Sequence, residues 1–211
     1  MIKYLFILLL SWTTFSQKKD QIEIDGLTID PKIEQQVKDH IKESKEYGEM
    51  NSIIQIYENP LLGEFFENDT LSFSNNDIDK KLIFKSFYYW RNGKLGIDGA
   101  FGIFGGNGFH ISFTNNEAKV YHMLSSDDFP TYAYNEKDSL IDRLEVPCTE
   151  TKIILSEIPD KQKKQIIYGY VEFKSDNYYS VSGGYIEGET PPKKKYRNNM
   201  RIYFKSGYLE L

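Results

Sequence analysis

The chain has 211 residues with 26 Lys and Arg against 31 Asp and Glu, a formal charge of −5, so nonspecific attraction to nucleic acid is disfavoured. Its single cysteine, Cys148, excludes an internal disulfide, so stability has to come from a packed core. Aromatics are abundant, with 16 Tyr, 14 Phe and 2 Trp, and Tyr and Phe favour strands.

The first residues, MIKYLFILLLSWTTFSQ, have one Lys, an apolar run from Tyr4 to Leu10, and then small and hydroxyl residues. This order predicts a signal peptide over residues 1–16 cleaved near Ser16, because the apolar run is shorter than the roughly 20 residues a bilayer span needs. Its removal takes Lys3 and shifts the formal charge to −6. The expected mature chain, 17–211, has no second long apolar segment and reads as a single mainly β domain exported to the periplasm or beyond.

QIEIDGLTID supplies a short strand, and Pro31 then opens a helix expected over about 31–47. Asp30 is placed to cap it, Glu34 lies in the first turn, and Ile33, Val37 and Ile41 form a narrow stripe that suits packing on a sheet. NSIIQIY is a further strand. From residue 81 the pattern is β, with strands expected near 81–91, 94–105, 109–114, 118–124, 131–135, 140–146, 151–156, 165–175, 177–182 and 199–205. Many short strands with short connections predict an antiparallel β-sandwich, with a closed β-barrel as the alternative.

The central strands carry a register argument, because a slip of one residue turns every side chain to the other face. Asn92-Gly93 is a two-residue hairpin turn that sets Trp90 against Leu95, Tyr88 against Ile97 and Ser86 against Gly99. Asn115-Asn116 likewise sets Ile111 against Val120, Phe113 against Ala118 and Phe109 against His122. Between them, FGIFGGNGFHI is read as a hairpin with Gly106-Asn107-Gly108 as a three-residue loop, so that Gly105 opposes Phe109, Ile103 opposes Ile111 and Phe101 opposes Phe113. No helix follows these glycines, which argues against a phosphate-cradling loop.

These registers leave a second face bearing Lys85, Phe87 and Tyr89, then Asp98, Ala100 and Gly102, then His110 and Ser112, then Lys119 and Tyr121. Aromatics beside Gly and Ala, with a few polar points, have the composition of a ligand face. The candidate binding residues are Lys85, Phe87, Tyr89, Asp98, His110 and Tyr121. A solvated face, or one covered by the helix, is the plainer alternative.

No cofactor, metal site or catalytic residue is assigned. Setting His110 opposite His122 would begin a metal site, but it requires Phe113 to oppose Lys119 and the apolar match rejects it. NNDIDKK at 75–81 lacks the glycine and final acid of a calcium loop. TPPKKKYR, 190–197, reads as a basic solvated loop.

The composition therefore predicts a noncatalytic binding or interaction module of the cell envelope, whose partner is a small apolar or glycan-like ligand or an envelope protein. A secreted hydrolase built on His110 with Asp98, with Asp127 as a further acid, is the rival; it needs His110 within about 3 Å of a carboxylate or hydroxyl in a concave pocket. An inhibitor or immunity-type protein is a third class.

Overall fold

A computed structural model describes residues 24–43, 53–58, 82–101, 106–181 and 192–211, with the backbone alone at 41–43, 53–58, 82–85 and 101. The expected signal peptide, residues 44–47 of the expected helix and the loop NNDIDKK lie outside the described residues. Two turns organise the described chain. Asn92 and Gly93 have φ of 52° and 76°, and Asn115 and Asn116 have φ of 51° and 60°, the left-handed pair that a tight hairpin demands of both central residues.

The first turn joins β3 (Leu82–Arg91) to β4 (Lys94–Phe101), counting β1 (Leu27–Ile29) and β2 (Ile53–Glu58) before them. The second joins β5 (Gly106–Thr114) to β6 (Glu117–Ser125). Both registers are those expected from the turns: Tyr88 faces Ile97, and Ile111 faces Val120.

The glycine run differs from expectation. Gly106, Asn107 and Gly108 are strand residues, the connection falls within 102–105, and β4 pairs with β5 through Ile97↔Ile111, Gly99↔Phe109 and Phe101↔Asn107. This register is displaced from the expected one by an even number of residues, so inward and outward faces keep their assignments. Two contacts explain the displacement. A Cβ on Gly108 would lie 2.1 Å from the Gly99 carbonyl oxygen, so glycine there serves close strand approach. Asn107 points inward, and its Oδ1 lies 2.6 Å from His122 Nε2.

After a two-residue β7 (Tyr132–Ala133), the expected strands at 140–146 and 151–156 form one element, β8 (Arg143–Leu155). Its first part pairs with β6 and its second with β9 (Ile167–Ser175), with a register shift between Thr149 and Lys152 and Glu150 at φ 49°. The last strand, β12 (Asn199–Tyr208), pairs with β9 along its length and with β3 in parallel at its end. The circuit β3-β4-β5-β6-β8-β9-β12 therefore closes into a seven-strand barrel, the alternative to the sandwich that the sequence put first. β2 is wedged between β3 and β12, and β1 adds to β8 in parallel.

β10 (Tyr178–Val181) makes a small separate sheet with β7 and β11 (Lys193–Tyr196). The basic segment expected as a loop thus contains a strand. Lys193 Nζ donates to the Glu136 carbonyl at 2.7 Å and to that of Asp138, which holds β11 beside the turn after β7.

The barrel interior is filled. Tyr88, Ile97, Phe109, Ile111, Val171, Phe173, Ile202 and Phe204 are among its buried residues. The one described helix, α1 (Ile33–Glu43), starts where Asp30 Oδ1 accepts a bond from Lys32 N at 3.0 Å. It buries Ile33 and Val37 against Tyr170, on the outer side of β9, with Tyr168 and Tyr203 beside them. No helix among the described residues is long and apolar enough to cross a membrane.

His122 is fully buried within the barrel, between Phe173 and Tyr178. Among the described residues its Nδ1 has no hydrogen-bond partner, and desolvation pushes its pKa down to about 3. The folded state keeps the ring neutral while the unfolded chain takes up a proton near pH 6.5, so this contribution to stability is intact above about pH 6.5 and is lost as pH falls toward 3. At about 1.4 kcal/mol per unit, the loss reaches a few kcal/mol. Urea unfolding of wild type and His122→Gln between pH 7 and 4 should show a steeper decline for wild type, and equal slopes would remove His122 as the cause.

Candidate functional site

The register places Phe87, Asp98, His110 and Tyr121 directly opposite one another in a single row across β3, β4, β5 and β6. The next row is Tyr89, Gly96, Ser112 and Lys119. Five of the six candidate residues are thus gathered on the outer face of the barrel; Lys85 lies in β3 opposite Ala100, and its side chain falls outside the described residues. Helix α1 packs on β9 and β12 and so does not cover this face.

The arrangement has a definite chemistry. The phenol end of Tyr89 lies over its cross-strand neighbour: a Cβ on Gly96 would come within 2.7 Å of Tyr89 Cζ, so only glycine leaves room for the ring where it sits. Burial first, and then the neighbouring Asp98 carboxylate, push the Tyr89 hydroxyl pKa up to about 12. It is therefore a neutral donor throughout the physiological range. His110 Nδ1 donates to Asp98 Oδ1 at 2.5 Å, with both side chains less than a fifth exposed. One carboxylate thus orients the imidazole and lies near the phenol, and the imidazole is left with Nε2 for an outside partner. The Tyr121 ring stands 6.0 Å from that of His110, and Phe87 stands 6.3 Å from Tyr89.

Beside this cluster is an open cleft of about 330 Å³. Tyr89 and His110 line it together with Arg91, Lys94, Gly96 and Ser112, while Asp98 supports it from behind. Arg91 and Lys94 were not among the expected site residues. They flank the Asn92-Gly93 turn and have the same parity as Tyr89 and Asp98, which is the signal that would have found them.

Asp127 is exposed, beyond the end of β6, and is not part of the Asp98–His110 contact. His110 faces outward and His122 inward, so the two do not share a face. Among the described residues no group of three or more His, Cys, Asp or Glu is placed to hold a metal ion. Cys148 is largely buried, and burial pushes its thiol pKa up, the opposite of an activated nucleophile.

Compared with known protein families, curated proteins and solved structures, the chain matches none, so function has to be argued from this site.

The contact between Tyr89 and Gly96 is directly testable. Because the obstructing atoms are the far end of a side chain, Gly96→Ala should fold with a melting temperature within a few degrees of wild type while displacing the ring from β4. Loss of the nuclear Overhauser contacts between the Tyr89 ring and residue 96 would report this, and their persistence would mean that the ring does not rest on the glycine.

Proposed function

We propose that the protein is a noncatalytic binding module of the cell envelope that holds a small glycan-like ligand on the outer face of β3–β6. Export rests on the signal-like N-terminus. The binding reading rests on one observation above the others: the Tyr89 ring sits over a glycine floor, beside a carboxylate that orients His110. A fixed aromatic plane bordered by hydrogen-bonding groups suits a sugar, whose ring offers apolar C–H faces and a rim of hydroxyls. His110 Nε2, Ser112 and Asn92 are the polar groups near that plane. The ligand meets a site arranged before it arrives, which lowers the ordering cost of binding.

Hydrolysis is the second reading, and it has one observation in its favour. His110 contacts a carboxylate at 2.5 Å beside a cleft, which meets the geometric requirement set for an enzyme. A histidine–carboxylate pair still needs a nucleophile or a bound water to act on. Among the described residues His110 hydrogen-bonds to Asp98 alone, and the binding reading is the simpler account.

Calorimetric titration of the mature protein with a panel of soluble oligosaccharides tests the proposal. At least one should bind, and Tyr89→Ala and Tyr121→Ala should each retain the wild-type circular dichroism while weakening affinity about tenfold, the scale of one aromatic contact. Unchanged binding by both folded variants would sink the reading. Consumption of the oligosaccharide by wild type and not by His110→Ala would transfer the site to the hydrolase class.

A further inference from the structure

Arg91 and Lys94 are directly opposed across the end of the β3–β4 hairpin, and both are exposed. Like charges in that position repel. Among the described residues neither has an ion-pair partner, whereas Lys119, two strands over on the same face, is paired with Glu117 at 3.0 Å. The Asp98 carboxylate is engaged by His110, and Glu145 acts on the Tyr89 hydroxyl less than Asp98 does. The Arg91 charge is felt at the Tyr89 hydroxyl, where it opposes those acids. The cleft therefore joins one aromatic plane to two uncompensated cations, with the Ser112 and Thr114 hydroxyls on the side of β5.

We infer that the ligand of this cleft is an acidic sugar, with its ring on Tyr89 and its anionic group between Arg91 and Lys94. The inference rests on the binding reading above and adds the charge of the ligand. A carboxylate can take two parallel bonds from the Arg91 guanidinium while the Lys94 ammonium serves as a point charge. An anion there relieves the cross-strand repulsion, so the free protein stores an unfavourable pair that the ligand resolves. A phosphate group has the same anionic oxygen chemistry, and it is distinguished from a sugar acid by the experiment.

The probes are trigalacturonate, its fully methyl-esterified form and inorganic phosphate, titrated into the mature protein at low and at physiological salt. Trigalacturonate should bind at least tenfold more tightly than the ester, with an advantage that shrinks as salt rises. Arg91→Gln/Lys94→Gln should bring trigalacturonate down to the affinity of the ester. The same double variant should melt at or above the wild-type temperature, because it removes a repulsion; a purely structural pair would make it melt lower. Equal, Tyr89-dependent binding of acid and ester would overturn the acidic assignment and leave the glycan reading standing. If neither trimer binds, the acidic-sugar assignment falls while the glycan reading is decided by the wider oligosaccharide panel, and saturation by phosphate that depends on Arg91 and Lys94 would assign the cleft to a phosphate group instead.

Discussion

The outer face of this barrel exists because two hairpins are locked in register by left-handed residue pairs, Asn92-Gly93 and Asn115-Asn116. Side chains in a strand alternate with period two, so once each turn is fixed the inward and outward sets of β3 to β6 follow without further choice. Tyr88, Ile97, Phe109, Ile111 and Val120 go inward and supply the apolar burial that stabilises the fold. Phe87, Asp98, His110 and Tyr121 are then compelled outward as a row. The candidate site is in this sense the reverse side of the core, and a single slipped residue would exchange the two.

The polar groups on the two sides live in different environments, and that difference separates structure from function. Inside, His122 is held against Asn107 and fully buried, which keeps it neutral and makes it a source of acid lability. Outside, His110 is tied by Nδ1 to a carboxylate and keeps access to solvent through Nε2. The first arrangement fills a barrel that leaves little room for a ligand among its packed side chains. The second presents donors and an aromatic plane to whatever reaches the surface.

Much of this was legible in the sequence because it depends on local signals. The Asn-Gly and Asn-Asn turns, the alternation of apolar residues and the Asp30-Pro31 start of the helix are all short-range patterns. The features missed or ranked second are non-local. Closure as a barrel depends on β12 meeting β3 and on the shift near Glu150 that lets β8 pass from β6 to β9, and no run of neighbouring residues announces either. The glycine run was misplaced because matching apolar pairs could not register the value of Asn107 to a buried histidine or the close approach at Gly108. β11 escaped notice because three lysines resemble a solvated loop, although lysine is common on exposed edge strands. Arg91 and Lys94 were not singled out in the sequence, and only the cleft gives their parity a meaning.

The parity of β5 and β6 is the claim on which the rest depends, and the chain's histidines report it. Carbethoxylation of the folded protein at neutral pH, followed by peptide mapping, should modify His110 through its exposed Nε2 and leave His122 untouched until the protein is unfolded. Modification of His122 in the folded state at a rate equal to or above that of His110 would mean that the faces are exchanged, and the account of both core and site would be wrong.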